Sequence, residues 1–307
     1  MEFITISDLI KDLDLEVIHW PEKEEINVNV IEVNRPGLQL SGFYEYFAFN
    51  RVQIIGKVEW TYFDTLSPEV RRLRAEELFS YPIPCLIISR DLLVYDELLY
   101  AAKKYNRPLL RTSLFTTKLV NRVINYLEDK LAPVKTQHGV LVDIYGIGVL
   151  ILGESGVGKS EAALELIKRG HRLVADDAVE IKKLDDHTLE GSAPELIRHY
   201  MEIRGIGLLD IVQLYGVGAV RTAKFINLIV ELEYWKEHKQ YDRLGLDEET
   251  MEILGVNVHK LTIPVKPGRN LAVIMEAASI NHRQKRMGFN AAEVLNNKLI
   301  KHMLEKE

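Results

Sequence analysis

Cysteine occurs once in the 307 residues, at Cys85, so neither an intrachain disulfide framework nor a cysteine-based zinc site can be built. Its surroundings, Pro84-Cys85-Leu86-Ile87-Ile88, predict a buried strand and a core thiol rather than a nucleophile. Basic excess is missing too. With 39 Lys and Arg against 45 Asp and Glu the net charge is −6, which argues against a general nucleic-acid binder. No apolar run approaches the roughly 20 residues that a membrane helix needs. The start, Met1-Glu2-Phe3-Ile4-Thr5, lacks the basic-then-apolar order of an export signal, so a cytoplasmic protein with no membrane partner is the expectation. Internal repeats and low-complexity stretches are absent. What is present is 47% hydrophobic residues, enough for two sizeable cores in a chain of this length.

Residues 1–130 read as an α/β domain of their own. Ile26-Asn27-Val28-Asn29-Val30-Ile31 alternates at strand period; Val52-Gln53-Ile54-Ile55-Gly56, Cys85-Leu86-Ile87-Ile88 and Pro108-Leu109-Leu110-Arg111-Thr112 are apolar runs of strand length. Ser67-Pro68 opens one helix and Asp96 another. No catalytic motif falls in this half. Residues 114–131 carry apolar positions at helical spacing, including Leu119, Val120, Val123, Ile124 and Leu127, and are expected to bridge to a second domain spanning 131–307.

That second domain contains Gly153-Glu154-Ser155-Gly156-Val157-Gly158-Lys159-Ser160, which fits G-x-x-x-x-G-K-[ST] and follows the apolar run Val149-Leu150-Ile151-Leu152. The glycines let backbone N–H groups close around a phosphate chain, Lys159 can reach the outer phosphates, and the Ser160 hydroxyl is placed to ligate Mg²⁺. A nucleoside triphosphate is the natural occupant. Gly139-Val140-Leu141-Val142-Asp143-Ile144 and the following strand flank Tyr145-Gly146-Ile147-Gly148, so the loop is entered through a hairpin and a mixed sheet is expected. The helix after it stops at Gly170.

Four further segments could complete a phosphoryl site. His171-Arg172-Leu173-Val174-Ala175-Asp176-Asp177 ends in two carboxylates, suited to holding a cation through water or accepting a proton from a hydroxyl; two adjacent acids beside a polyphosphate also repel one another, raising one pKa. Met201-Glu202-Ile203-Arg204-Gly205-Ile206-Gly207-Leu208-Leu209-Asp210 places Glu202 and Arg204 at strand spacing, where a metal ligand with a phosphate contact and a solvated strand edge are equally good readings. Arg243 and the stretch Pro264-Val265-Lys266-Pro267-Gly268-Arg269 put cations on Gly- and Pro-bounded turns; solvated loop charge is the commoner meaning of such turns. His138, before Gly139, reads by itself as a surface histidine. His282-Arg283-Gln284-Lys285-Arg286 reads as an exposed basic face of a helix spanning 270–287.

Taken together, these motifs in this order resemble the bacterial HPr kinase/phosphorylase family along the whole chain. The resemblance implies an N-terminal α/β domain of unassigned role and a C-terminal P-loop kinase domain with a mixed sheet. It implies a protein-serine kinase using ATP and Mg²⁺ that also runs a dephosphorylation driven by inorganic phosphate, both on the phosphocarrier protein HPr. Catalytic positions would be His138, Lys159, Asp177 and Arg243, with Mg²⁺ on Ser160 and Glu202. The 201–210 stretch would serve both reactions and the 264–269 stretch mainly dephosphorylation. A homohexamer that binds neither nucleic acid nor membrane is also implied. The H-R-D and D-F-G sets of the eukaryotic kinase fold are absent. A nucleotide-gated regulator and a small-molecule kinase or carboxykinase-like enzyme remain as alternatives on the residues alone.

Overall fold

The computed structural model describes residues 3–22, 25–239 and 249–304, and the chain divides into two compact units, Met1–Ala132 and Pro133–Glu307. In the first unit a five-stranded sheet runs in the order Glu16–His19, Leu109–Arg111, Leu86–Ile88, Val52–Ile55, Val33–Asn34. All neighbours are parallel except the Glu16–His19 edge. Because successive strand residues point to opposite faces, Ile54, Ile87 and Leu110 enter one core while Ile55, Leu86, Ile88 and Leu109 enter the other. Such double-sided burial is why these strands read as continuous apolar runs rather than alternating ones. Cys85 is fully buried here, and desolvation pushes its thiol pKa far up, away from nucleophilic use.

The helix starting at Pro68 is capped by Ser67, whose side chain accepts from the Val70 N–H, and extends to Ser80. One expectation for this half changes. The 26–31 run yields only a two-residue strand, Asn27–Val28, paired with Ile4–Thr5, while Val33–Asn34 joins the main sheet separately. The Thr116–Leu131 helix, expected as a bridge, packs within the first unit, burying Leu119, Val123 and Leu127 against Ile54, Ile87 and Leu110.

Among the described residues of the second unit nine strands form one mixed sheet. Its path is Arg172–Ala175, Val140–Ile144, Ile147–Gly153, Ala223–Tyr234, Leu189–Ser192, Ala178–Lys183, Val134–His138. Val256–Val265 also pairs with Ala223–Tyr234, and Glu249–Ile253 pairs with Val256–Val265. Among the described strand pairs of this sheet, those of Ala223–Tyr234 with Ile147–Gly153 and with Val256–Val265 are parallel and the others antiparallel. The hairpin turn ahead of the phosphate loop is the pair Tyr145-Gly146, tighter than the four residues expected, both at positive φ (51° and 88°) as a two-residue hairpin turn requires.

The sheet curls, so Leu141, Leu150 and Val174 share a core with Val179, Ile181 and Leu189 from its other limb. On the outer face, helices Lys159–Lys168 and Leu271–Arg286 pack onto Val140, Val142, Val149 and Leu228. Asn270 caps the second of these helices, its side chain accepting from the Val273 N–H. The 282–286 run is not wholly an exposed face, since His282 is buried with its ring 5.5 Å from that of His259. Among the described residues no helix is long and apolar enough to cross a membrane.

Candidate functional site

The phosphate loop leaves the C-terminal end of Ile147–Gly153 and runs into the N-terminus of Lys159–Lys168, where unpaired N–H groups and the helix dipole favour an anion. Gly153, Gly156 and Gly158 have φ of 142°, 85° and 100°, a region closed to most side chains. Gly153 is doubly required: a Cβ there would lie 2.4 Å from the Leu232 carbonyl oxygen on the parallel neighbour strand. Lys159 is buried, and its ammonium donates to the Gly153 and Glu154 carbonyls at 2.9 and 3.1 Å, which holds it across the loop mouth.

Strand Arg172–Ala175 and strand Ala178–Lys183 lie in different limbs of the curled sheet, and Asp176-Asp177 makes the turn between them. That crossing separates the two carboxylates. Asp176 points inward and is buried, accepting from the Ser160 hydroxyl at 2.8 Å and from the Glu202 backbone N–H at 3.1 Å. Burial raises its pKa, the nearby Asp177 charge adds to the rise, and the two hydrogen bonds oppose it. Asp177 sits in the left-handed region (φ 67°), which Asp tolerates better than most residues, and its carboxylate faces solvent. Because Ala178 pairs with His138, the turn brings Asp177 Oδ1 to 3.1 Å from His138 Nδ1. A histidine with no signal of its own in the sequence is thereby set beside a carboxylate.

The 201–210 segment is a β-hairpin, Tyr200–Ile203 with Gly207–Asp210, rather than a strand edge running into a loop. Met201 and Ile203 anchor it in the core, while Glu202 and Arg204 project the other way. Arg204 donates to the Ser155 hydroxyl at 2.8 Å. Tyr234, at the end of Ala223–Tyr234, donates its hydroxyl to the Gly156 carbonyl at 3.0 Å. The result is a cleft of about 100 Å³ lined by His138, Ser155, Gly156, Gly158, Lys159, Ser160, Asp176, Asp177, Glu202 and Arg204.

Not every expected residue lies in this cleft. Pro264-Val265-Lys266-Pro267-Gly268-Arg269 leaves the same end of the sheet as the phosphate loop but does not line the cleft. Arg269 closes the turn on itself, donating to the Pro264 carbonyl at 3.0 Å, and the Lys266 ammonium lies 5.1 Å from the Trp235 ring. Arg243 lies outside the described residues.

The resemblance puts Mg²⁺ on Ser160 and Glu202 alone, and the Asp176 carboxylate lies beside both residues. Ser160, Asp176 and Glu202 supply oxygen donors only, and among the described residues no three His, Cys, Asp or Glu side chains converge to cage an ion. That set fits Mg²⁺, which takes one or two carboxylates and completes its shell with water and substrate phosphates. The available signal was the position of Asp176 at the end of a strand directly after the phosphate-loop helix. Tyr234 was missed, and its approach to Gly156 depends on a strand pairing that nothing local announces.

Residues 4–127 match the family profile described as HPr Serine kinase N terminus, and residues 129–299 match HPr Serine kinase C-terminal domain. The chain belongs to the HPr serine kinase family. It is 61% identical over 303 residues to the HPr kinase/phosphorylase of Caldanaerobacter subterraneus subsp. tengcongensis, covering 99% of each chain. It is 52% identical over 300 residues to the HPr kinase/phosphorylase of Bacillus cereus strain G9842, covering 98% of this chain and 97% of that one. Among solved structures, the Hpr(Ser) kinase/phosphatase from Coxiella burnetii is 38% identical, with a TM-score of 0.48 over 52% of this chain and 98% of the other.

Proposed function

We propose that the chain is an ATP-dependent protein-serine kinase and phosphate-dependent phosphorylase acting on the phosphocarrier HPr. Family membership along the whole chain supports the activity. The observation that carries the site is the Asp177 carboxylate, open to solvent, 3.1 Å from His138 and on the rim of the cleft that holds Lys159 and Ser160. A seryl hydroxyl on a protein can reach an exposed carboxylate; it could not reach one buried as Asp176 is.

In the forward direction Asp177 accepts the proton of the serine hydroxyl as its oxygen attacks the γ-phosphorus of ATP, and the bond from that phosphorus to the leaving oxygen breaks to release ADP. His138 orients the carboxylate. Lys159, freed from the Gly153 and Glu154 carbonyls, meets the negative charge of the transferring group, and Arg204 meets it from the hairpin side. Ser160, Asp176 and Glu202 would hold Mg²⁺, which when bound neutralises phosphate charge. Asp176 loses the cost of being a buried anion when a cation is beside it.

In the reverse direction an oxygen of inorganic phosphate attacks the phosphoseryl phosphorus, forming pyrophosphate. The bond to the serine oxygen breaks, and protonated Asp177 returns a proton to that oxygen. One carboxylate serves both directions, as microscopic reversibility requires. Arg243 and the 264–269 turn are assigned to the site by resemblance, the latter chiefly for the reverse reaction. A cytoplasmic homohexamer without nucleic-acid or membrane partners completes the reading.

The test is a paired assay on purified HPr. Labelled ATP with Mg²⁺ should yield phosphoserine, and inorganic phosphate should then release pyrophosphate from it. Binding of ATP with no phosphoserine formed would instead mark a nucleotide-gated regulator, and label on a metabolite with HPr untouched a small-molecule kinase.

A further inference from the structure

We propose that Tyr234 is a positioning residue of the phosphate loop: its hydroxyl fixes the Gly156–Val157 peptide so that the Gly156 carbonyl stays turned away from bound phosphate. The idea rests on the reading above that the loop binds ATP and inorganic phosphate. A trans peptide is planar, with its C=O and the following N–H pointing in opposite directions. At Gly156 the backbone is at φ 85° with no Cβ to block rotation, so the peptide plane is held only by what it touches. Outside the loop, Tyr234 donates to the Gly156 carbonyl at 3.0 Å. Inside it, the Val157 N–H donates to the Glu154 carbonyl at 3.3 Å, the same oxygen that receives the Lys159 ammonium at 3.1 Å. Rotation of this peptide would break both of these bonds and aim a carbonyl oxygen at the anion, weakening every phosphate ligand alike.

The other end of the tyrosine is equally fixed. Tyr234 pairs in register with Val265, and the next residue, Trp235, donates its backbone N–H to the Val265 carbonyl at 3.1 Å. Tyr234 therefore spans from the root of the 264–269 turn to the rim of the phosphate loop. Arg204, bonded to Ser155 at 2.8 Å, holds the adjacent rim residue from the hairpin side. Tyr234 is 48% exposed, so removing its hydroxyl forfeits little packing.

The experiment uses the full chain with Tyr234→Phe, and Tyr46→Phe as control, because Tyr46 is 94% exposed. Affinities for Mg·ATP and for inorganic phosphate are measured by direct titration, and KM and kcat in the paired assay on HPr. Loss of one hydrogen bond should weaken both ligands, in Kd and in KM, about fivefold. kcat should stay within about twofold, and the ligand-free melting temperature within about 2 °C. Unchanged affinity for both ligands would overturn the proposal. So would a fall in kcat at constant KM, or an equal loss in Tyr46→Phe. If the parent binds ATP yet transfers nothing to HPr, the kinase reading fails while the titration still judges Tyr234; if the parent binds neither ligand, both fall.

Discussion

Glu276→Gln gives a quantitative test of how the helix behind the phosphate site is held. Glu276 is buried on the Leu271–Arg286 helix and accepts two hydrogen bonds from Arg169, at 3.0 and 2.6 Å, while His171 Nε2 lies 2.9 Å from it. Arg169 and His171 follow the C-terminal end of the Lys159–Lys168 helix, so this carboxylate joins the phosphate-loop helix to its neighbour. The Arg169 hydrogen bonds pull the Glu276 pKa down from 4.5 to about 2, with a further contribution from His171 and partial opposition from burial. A fall of that size corresponds to about 3 kcal/mol of folded-state stabilisation. Arg169 is 38% exposed, however, and solvent screening on its side reduces the expected loss to about 2 kcal/mol. For a unit of this size that is a drop of about 4–8 °C in its melting transition at pH 7. The sign with pH follows from the lowered value. The ionised carboxylate contributes fully above its ordinary pKa of 4.5, and the contribution drains away as pH falls toward about 2. Scanning calorimetry of parent and variant at pH 7 and at pH 3 should therefore show a gap that narrows in acid. A variant as stable as the parent at pH 7, or a gap undiminished at pH 3, would refute the argument. Affinity for ATP should change little, because the cluster sits a full helix length, roughly 15 Å, from the loop.

Other changes address the site itself. Asp177→Asn should abolish both kinase and phosphorylase activities, by at least about a hundredfold, with ATP affinity intact; either activity near the parent rate would remove Asp177 from its role. Asp176→Asn should remove the buried charge beside Ser160 and raise the Mg²⁺ concentration needed for half-maximal rate by about tenfold or more, read from a metal titration at saturating ATP. Gly153→Ala places a methyl group against the Leu232 carbonyl at a φ of 142°, and should cost about 1–3 kcal/mol in stability together with most ATP binding, measured by denaturant unfolding and ligand titration. Arg269→Ala should impair dephosphorylation more than phosphorylation, and equal losses in the two assays would contradict the role given to that turn.

What could be read from the sequence divides by the range of the interactions involved. The phosphate loop was legible residue by residue because its strand, glycines, lysine and serine lie within one contiguous stretch whose φ angles and dipole are local properties. The mixed sheet followed from the hairpin, since a strand entered through the Tyr145-Gly146 turn must be antiparallel to its predecessor. By contrast, the contact of His138 with Asp177 is made by the pairing of Val134–His138 with Ala178–Lys183 across the curled sheet, and that register cannot be seen in either segment. The acid pair was legible as a pair, but the division into a buried Asp176 and an exposed Asp177 depends on which limb each faces. The packing of the Thr116–Leu131 helix into the first unit was not legible, because amphipathic spacing reports that a face is buried and not which core buries it.

The parallel pairing of Gly153 with Leu232 carries a consequence for how the protein is made. The phosphate-loop signature is complete once residue 160 has been synthesised, yet the strand that supports the loop and the tyrosine that reaches its rim come about 75 residues later, with Val256–Val265 after that. During translation the chain therefore holds the full signature for several seconds before it has a platform to shape it. Fragments ending before Ala223 would display the signature and fail to retain nucleotide, so competence arrives with the closing strands of the sheet rather than with the motif.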